Sequence, residues 1–500
     1  MTMTEDAPTK GKRGTEHFDV LIVGAGISGV GSAVHLQEQC PTKSFVVLEK
    51  FETYGGTWHM HKYPGIRSDS DLFTFGYRFK PWTGAPIATA AEIKKYMGEV
   101  IQENGLADRI RYRQRITNAS WSSADNKWTV EVADLAEGGT YTMTCGFLYM
   151  CQGYYNHDKG YTPEWPGMDR FKGDIIHPMA WNEDIDHAGK NILVIGSGAT
   201  AATIVPEFAK TANHVTVLQR SPTYFIPGRN ADDLADTLRQ LEIDEKWIHE
   251  IVRRKRLFDQ KAVTEMSFNQ PEALKEFLLE GVRVLLPEGY DMKHFTPKYR
   301  PWQQRIAFVP EGDLFAGIRA GKATMVTDEI ETFNETGVLT KDGTQIDADI
   351  IVPATGFHLS VLGDIPFSVD GKPVSWNDTV TYRGMMFTGV PNLAWIFGYF
   401  RASWTLRVDL MGDFIGRLFR FMDEKGFHRV TPRLREKEDA GMPIGEWMKP
   451  DNFNPNYLMR GMHLMPKAGD KPEWMHDQDY WSEKDILPNA DLEDGCLIYE

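Results

Sequence analysis

The fold is decided by the stretch Asp19-Val-Leu-Ile-Val-Gly-Ala-Gly-Ile-Ser-Gly29, which returns later in the chain as Asn191-Ile-Leu-Val-Ile-Gly-Ser-Gly-Ala-Thr-Ala201. Each copy is a short run of strand-forming apolar residues, followed by GxGxx(G/A) and then by a segment with helical spacing. This order is typical of a nucleotide-binding unit, because the glycines allow a tight turn and the helix N-terminus then faces the phosphates. The repeat therefore predicts an α/β protein with two dinucleotide-binding, Rossmann-like domains.

The first copy has each residue type that the pattern needs. Gly24 allows the tight turn, Gly26 lets the backbone reach a pyrophosphate, and Gly29 lets the helix and the strand pack closely. A second apolar strand ends at Glu49. A carboxylate at this place, about 20 residues after the glycines, accepts hydrogen bonds from the ribose hydroxyls of an adenosine.

The second copy differs where it would meet the ribose, because its second strand ends at Gln219-Arg220-Ser221. An acid there would repel a ribose 2′-phosphate, whereas a guanidinium pairs with it. We therefore expect NADPH in the second domain and FAD, the redox group, in the first. The candidate residues from the second copy are Gly196, Ser197, Gly198, Thr200, Arg220 and Ser221.

Composition excludes several classes of function. The 500 residues, enough for about three domains, include 55 Lys and Arg against 70 Asp and Glu, a formal charge of −15 that makes nucleic acid an unsuitable partner. No apolar stretch reaches the roughly 20 residues that span a bilayer. The polar start lacks the apolar core of a secretion signal, so we expect a cytoplasmic protein. The four cysteines form no CxxC pair and predict neither disulfides nor a metal site.

Patterns between the motifs predict the scaffold. Apolar residues at helical spacing predict an amphipathic helix over 91–104, and alternation predicts a strand or a hairpin over 121–132. Residues 230–286 are predicted to be helical, with Arg253-Arg254-Lys255-Arg256 on a solvated face. A buried strand over 347–356 ends in a small-residue turn, where a backbone could approach a cofactor closely.

These patterns predict the domain organisation. We expect an FAD domain from residues 14–160 and 365–500, a NADP domain from 161–222 and 302–364, and a helical insertion over 223–301.

Two longer motifs are more specific than the glycines. The pattern GGxWxxxxYPGxxxD is matched by Gly55-Gly-Thr-Trp-His-Met-His-Lys-Tyr-Pro-Gly-Ile-Arg-Ser-Asp69, and FxGxxxHxxxW is matched by Phe171-Lys-Gly-Asp-Ile-Ile-His-Pro-Met-Ala-Trp181. With these motifs the chain resembles, from about Phe18 to Asp409, the Baeyer–Villiger group of the class B flavin-dependent monooxygenases. The segments RSPTY (220–224) and ASWTL (402–406) resemble its ethionamide-activating branch.

The resemblance implies an activity. NADPH would reduce FAD, O2 would add to the flavin as a C4a-peroxide, and the peroxide anion would convert a ketone to an ester or lactone, with sulfide oxidation as a side activity. A fixed cation in a dry site stabilises such an anion, and Arg305 is expected in that role, oriented by Asp69. Trp58 is expected to form a wall of the flavin site and His177 to act at the linker between domains. The resemblance also places Gly56, Thr57, Arg67 and Gln304 at the cofactors.

Three alternatives stay open. An N- or S-hydroxylating flavin-containing monooxygenase would share both cofactor sites. A pyridine-nucleotide disulfide reductase would need a redox pair of cysteines close in sequence, and the nearest pair, Cys145 and Cys151, has five intervening residues. A non-catalytic NADPH-binding flavoprotein would have no need for Arg305 with Asp69.

A few further residues carry weaker expectations. His59 and His61 occupy variable positions of the first long motif, so packing or solvent contact is expected rather than metal binding. A helix that begins at Ser403-Trp404-Thr405 would direct its dipole at the reduced flavin. The substrate pocket is expected near Trp404 and the methionines of the C-terminal tail, Met459, Met462 and Met465. Neither the particular ketone nor the oligomeric state is indicated.

Overall fold

The computed structural model describes residues 15–500. Residues 1–14, on which the expectation of no secretion signal depends, lie outside the described residues. Among residues 15–500, no helix combines the length and the apolar character needed to cross a membrane.

The first glycine motif lies on a nine-stranded mixed sheet. Its strand, Glu16–Val23, lies between Phe45–Leu48 and Thr140–Met150 and runs parallel to both. Alternate side chains of this strand enter different cores, with Val20 and Ile22 on one face and Leu21 and Val23 on the other, which explains the unbroken apolar run. The main strand order is Lys372–Pro373, Phe367–Val369, Gln114–Ser122, Lys127–Asp134, Thr140–Met150, Glu16–Val23, Phe45–Leu48 and Ile110–Arg111, and Leu393–Trp395 also pairs with Thr140–Met150.

The second glycine motif lies on a separate sheet of five parallel strands. Ile192 and Val194 enter one core and Leu193 and Ile195 another, so this sheet is also covered on both faces. Its strand order is Ala323–Thr327, His214–Gln219, Asn191–Ile195, Ile350–Pro353 and Asp174–Ile175. The predicted fold class, α/β with two Rossmann-like domains, is confirmed.

Helices and short strands complete the described residues. The α-helices are α1 Ile27–Gln39, α2 Thr57–Met60, α3 Leu72–Phe75, α4 Ala90–Glu103, α5 Ala199–Thr211, α6 Asp233–Gln240, α7 Glu245–Asn269, α8 Pro271–Arg283, α9 Asp313–Arg319, α10 Trp404–Lys425, α11 Asn456–Gly461 and α12 Tyr480–Ile486. The 3-10 helices are Ala107–Arg109, Met168–Arg170, Pro178–Ala180, Met292–Phe295, Leu362–Asp364, Trp376–Asp378, Met462–Leu464 and Leu487–Asn489. The smaller sheets pair Phe225–Gly228 with Ala307–Pro310, Ile330–Phe333 with Gly337–Thr340 and Gln345–Asp347, Tyr155–Gly160 with Phe357–Leu359, Thr381–Tyr382 with Met386–Phe387, Val430–Pro432 with Leu497–Tyr499, and Gly445–Glu446 with Lys467–Ala468.

The local predictions agree with these elements. The amphipathic helix is α4, which a Thr89–Glu92 capping box begins and whose predicted apolar stripe is buried. The hairpin joins Gln114–Ser122 to Lys127–Asp134. The buried strand ends at Pro353, and its small-residue turn, Ala354 to Gly356, borders the cavity described below.

The helical segment is formed by α6, α7 and α8, but the prediction that its basic run is solvated is wrong for Arg253. This side chain is buried and donates to the carbonyls of Phe73, Thr74 and Gly76 and to Asp409. The charge of this run alone predicted that its side chains are exposed to solvent. A buried guanidinium is nevertheless stable when hydrogen-bond acceptors surround it. Arg253 thereby fastens α7 to the first domain.

The chain crosses between the two sheets twice, and the crossings pair with each other. Tyr155–Gly160 leaves the first sheet and Phe357–Leu359 returns to it, as an antiparallel pair. The two glycine motifs therefore face each other across this double connection, and the space between them is the site.

Candidate active site

The first glycine motif has the geometry that the sequence predicts. Gly24 has φ +97°, and a Cβ on Gly29 would lie 1.8 Å from the Gly24 oxygen, so no other residue could pack there. Gly26 precedes α1 and provides no side-chain cap, which leaves the N–H groups of the first turn for a ligand. The buried Glu49 accepts hydrogen bonds from the backbone N–H of Ala25 (2.7 Å) and of Phe51 (2.9 Å). Burial raises the pKa of Glu49 above its usual value, opposed by these hydrogen bonds.

The second motif repeats this arrangement, except that Arg220 follows its second strand where Glu49 follows the second strand of the first motif. Gly196 has φ +115°, and a Cβ there would lie 2.6 Å from the Ala354 oxygen. Gly198 precedes α5, again without a side-chain cap, and a Cβ on it would meet nothing within 4 Å. Ser197 Oγ donates to the Ser221 carbonyl (3.2 Å), which ties the glycine loop to the end of the next strand. Arg220 there is exposed.

A cavity of about 600 Å³ lies between the two motifs. It is within the size range of small-molecule and cofactor sites. Twelve of the predicted residues border it: Gly24, Gly26, Glu49, Gly56, Thr57, Trp58, Arg67, Asp69, Gly198, Thr200, Gln304 and Arg305. Five others do not border it: Gly29, Gly196, Ser197, Arg220 and Ser221. Gly29 and Gly196 lie on the side of their loops away from the cavity, packed against other backbone atoms. Arg220 and Ser221 lie at the solvent-exposed end of the second motif.

This cavity suits a pair of dinucleotides. Two uncapped helix N-termini border one space, and each supplies backbone N–H groups and a positive dipole end for phosphates. Gly26 and Gly56 come so close that a Cβ on Gly56 would lie 3.0 Å from the Gly26 α-carbon. Because neither glycine has a side chain, a ligand can approach the protein backbone closely at this junction.

Arg305 and Asp69 meet at the centre of the site. Arg305 Nε donates to Asp69 Oδ2 (2.5 Å) and Nη2 donates to Asp69 Oδ1 (2.8 Å), which is a bidentate pair. Nη2 also donates to Ser70 Oγ (3.1 Å), and Nη1 donates to the Phe400 carbonyl (3.2 Å). Burial disfavours the charge of Arg305, but the Asp69 carboxylate outweighs it and the pKa of Arg305 rises. The cavity therefore contains a permanent, oriented cation.

Arg67 has a structural partner in the second domain. Its guanidinium forms an ion pair with Asp313 at the start of α9 (2.6 Å) and donates to the Ala202 carbonyl in α5 (3.3 Å). Because Arg67 also borders the cavity, it connects the first long motif to the second domain at the cavity wall.

The first long motif also supplies side-chain contacts on the other wall. Thr57 Oγ1 is hydrogen-bonded to the Tyr155 hydroxyl (2.8 Å). Trp58 borders the cavity with its ring packed edge-on against Phe75 (5.8 Å between centroids). Trp58 therefore forms part of the cavity wall, and its contact with a flavin stays a prediction.

The three histidines of the long motifs make protein contacts. His59 pairs with Glu52 (3.0 Å). His61 is buried, and burial, followed by the charges of His157 and His177, lowers its pKa to about 4. His177 Nδ1 accepts from Met179 N (3.1 Å) while Nε2 lies 3.2 Å from the Gly356 carbonyl, next to the double connection. Among residues 15–500, no group of three or more His, Cys, Asp or Glu side chains is placed to hold a metal ion.

Other expectations concern the C-terminal half. Helix α10 begins at Trp404, and Ala402 and Trp404 border the cavity, so its N-terminus lies at the site; its effect on a flavin stays a prediction. The methionines do not border the cavity: Met462 and Met465 are buried in the core, and Tyr457 provides the lining instead. The short helix α11 of the tail packs toward the first sheet. The sequence could not indicate this, because its periodicity is too weak to show which face of the helix is buried.

Sequence reasoning missed an aromatic wall of the cavity. The missed residues are Tyr154, Tyr155, Phe400 and Tyr457. Tyr154 and Tyr155 follow the strand Thr140–Met150 at the same edge of the sheet as the glycine loop. Ligands of open α/β sheets bind at the carboxyl ends of the strands, so this position was a usable signal. Tyr457 had none, because it is distant in sequence from every motif.

Known proteins are similar to this chain in sequence and in architecture. A model of the flavin-binding monooxygenase-like family matches residues 87–388, and a NAD(P)-binding Rossmann-like domain model matches residues 22–82. The chain belongs to the flavin-binding monooxygenase-like family. This family member is 46% identical over 488 residues to the FAD-containing monooxygenase EthA of Mycolicibacterium smegmatis, with 97% of each chain covered. It is 42% identical over 487 residues to the probable FAD-binding monooxygenase AlmA of Acinetobacter baylyi, covering 97% of this chain and 96% of that one.

Solved structures confirm the fold of this family member. An oxidised steroid monooxygenase bound to NADP has a TM-score of 0.75 at 23% identity and covers 97% of this chain and 99% of its own. An open cyclohexanone monooxygenase has a TM-score of 0.69 at 21% identity, covering 84% and 90%. The protein is an FAD- and NADPH-dependent monooxygenase, which confirms the predicted enzyme class and both cofactors.

Proposed function

We propose that this monooxygenase oxidises ketones to esters or lactones. In the balanced reaction a ketone, O2, NADPH and H⁺ give an ester, water and NADP⁺, so one oxygen atom enters a carbon–carbon bond and the other leaves as water. The observation that carries the proposal is the Arg305–Asp69 pair, a guanidinium held in two parallel hydrogen bonds inside the cavity. Oxygen insertion beside a carbonyl passes through negatively charged oxygen species, which a fixed cation stabilises.

We also propose how the chain holds its cofactors. FAD would lie against Gly24, Gly26, Glu49, Gly56, Thr57 and Trp58, and NADPH against Gly196, Ser197, Gly198, Thr200, Arg220, Ser221 and Gln304. When bound, FAD takes a hydride from NADPH and activates O2. Arg67 would hold the two halves of the site together through Asp313.

The chain's own residues have separate tasks. Asp69 orients the Arg305 guanidinium and keeps it protonated. The aromatic residues Tyr154, Phe400 and Trp404 cover that side of the cavity and exclude water, which strengthens every electrostatic interaction inside. The predicted sulfide oxidation would use the same cavity.

Product analysis tests the proposal. The purified holoenzyme is incubated with NADPH and O2 and with a cyclic ketone, a thioether or a tertiary amine, and the products are quantified against NADPH consumed. We expect lactone to account for most of the NADPH in the ketone reaction. N-oxide from the amine without lactone from the ketone would assign the enzyme to the N- and S-hydroxylating alternative. Hydrogen peroxide as the product with all three compounds would overturn the proposal.

A further inference from the structure

Two tyrosines border the cavity beside Arg305, and neither belongs to a motif. Tyr154 follows the strand Thr140–Met150, and Tyr457 lies in α11, about 300 residues later. Their ring centroids are 6.2 Å apart, and Tyr154 is stacked on Trp404 at 5.3 Å. Both hydroxyls are close enough to Arg305 and Asp69 for these charges to act on them.

The hydroxyls of this tyrosine pair are available to a ligand. Within the described residues 15–500, the two phenols interact with each other, and neither hydroxyl is hydrogen-bonded to a third residue. The neighbouring Tyr155 differs, because its hydroxyl is hydrogen-bonded to Thr57 (2.8 Å). Both tyrosine side chains are only partly buried and both border the cavity, so a polar atom of a ligand can reach the O–H group that the pair does not use internally.

Arg305 cannot supply enough donors for a substrate carbonyl by itself. A guanidinium has five N–H groups. Four of them are directed at Asp69 twice, at Ser70 and at the Phe400 carbonyl, which leaves one. If this last N–H stabilises the negative oxygen species, the ketone oxygen needs a donor from another residue.

We propose that the hydroxyls of Tyr154 and Tyr457 form a hydrogen-bonding pair that binds and polarises the carbonyl oxygen of the substrate. This inference rests on the proposed ketone oxidation. Within the pair, one hydroxyl donates to the other and the remaining O–H donates to the ketone oxygen, which has two lone pairs free to accept. The pair would hold the carbonyl near Arg305 and favour ketones over substrates that lack a strong acceptor.

Protonation is consistent with a donor role. Burial raises the pKa of both Tyr154 and Tyr457, and the Arg305 charge, which lowers both, does not reverse this. Both phenols therefore keep their protons at neutral pH and are available as donors.

The test compares ketone and thioether turnover in Tyr154→Phe, Tyr457→Phe and the double variant of the holoenzyme. Phe removes only the hydroxyl. Because a thioether sulfur is a weak acceptor, its oxidation should not need the pair. We expect kcat/KM for the ketone to fall about tenfold in the double variant, because the substrate loses roughly one hydrogen bond. Sulfoxide formation and the rate of flavin reduction by NADPH should fall much less than lactone formation, because Phe keeps the aromatic ring at the cavity wall. Tyr480→Phe, outside the cavity, is the matched control.

The outcomes separate this inference from the function on which it rests. If the wild type yields lactone and the double variant yields it with the same kcat/KM, the tyrosine pair has no such role. An equal loss for ketone and thioether, together with slower flavin reduction, would show a structural role and also overturn the inference. Failure of the wild type to oxidise ketones would overturn the proposed function itself.

Discussion

Arg305 and Asp69 are 236 residues apart in sequence and are joined by two parallel hydrogen bonds of 2.5 and 2.8 Å. Asp69 ends the first long motif, whereas Arg305 precedes the strand Ala307–Pro310 of the second domain. The pair therefore joins the first long motif to the segment that leads into the second sheet's core.

Replacing Arg305 by Ala should separate oxygenation from NADPH oxidation. We expect ester formation to fall roughly 100- to 1,000-fold, as when one charge-stabilising group is removed from an active site. Flavin reduction should continue, with hydrogen peroxide replacing the ester. Arg305→Lys should recover little, because an ammonium group cannot form the bidentate contact to Asp69. Product and peroxide assays measure this, and an Arg305→Ala enzyme that still forms ester at the wild-type rate would contradict the proposed mechanism.

Gln478 should affect oxygenation from outside the cavity. Its buried amide accepts from Phe400 N (2.8 Å) and donates to the Gly398 carbonyl (3.0 Å), and the Phe400 carbonyl in turn accepts from Arg305. Gln478→Leu leaves two buried backbone groups unpaired, which costs about 1 to 3 kcal/mol each in free energy of unfolding. We expect lower stability and roughly tenfold less ester per NADPH oxidised, since the guanidinium loses its exact orientation.

The matched control for that variant is Gln102→Leu, at an exposed position of α4. Stability is measured by urea unfolding and coupling by product per NADPH. A Gln478→Leu enzyme that is less stable but forms wild-type amounts of ester per NADPH would show that this residue supports only the fold.

Arg220 should decide between the two nicotinamide cofactors. It is exposed at the end of the strand His214–Gln219, where a 2′-phosphate would lie. We expect Arg220→Gln to raise the KM for NADPH by about 10- to 100-fold, the value of a hydrogen bond to a charged group, and to leave the KM for NADH unchanged. Steady-state kinetics with both cofactors measures this, with Arg229→Gln on the exposed surface as the control. An equal change with NADH and NADPH would argue against a phosphate contact.

Acid should destabilise the fold through His249. This histidine is 2% exposed, its Nδ1 accepts from Trp82 N (3.1 Å), and burial, followed by the Arg253 charge, lowers its pKa from 6.5 to about 4. Between these values the unfolded state binds the proton and the folded state does not. The contribution of neutral His249 to the free energy of unfolding is therefore fully present above pH 6.5 and is lost as the pH falls. The loss amounts to about 2 kcal/mol between pH 7 and pH 5.

The variant His249→Gln keeps an acceptor and removes the titration. Urea unfolding at pH 7 and pH 5 should show a smaller loss of free energy of unfolding in this variant than in wild type. The same loss in both proteins would assign the acid sensitivity to other groups.

Local patterns predicted the parts of the molecule that depend on neighbouring residues. Alternation and helical spacing predicted α4, the 121–132 hairpin and both strand–glycine–helix units, because side-chain direction repeats with a period of 2 in strands and 3.6 in helices. The predicted basic face of α7 failed at Arg253, since its acceptors are the carbonyls of Phe73, Thr74 and Gly76, far away in sequence. No local period contains that information.

By itself the sequence determined the fold class, the two cofactors and the residue types at the glycine loops, because each depends on a short contiguous motif with a definite backbone geometry. Only the tertiary structure decided which residues share the cavity. It brought Asp69 to Arg305, placed Tyr457 of the tail next to Tyr154, and moved Met462 and Met465 into the core. These contacts follow from how two sheets and their connections pack as a whole, and that packing is set by burial over the entire chain rather than by the spacing of any one segment.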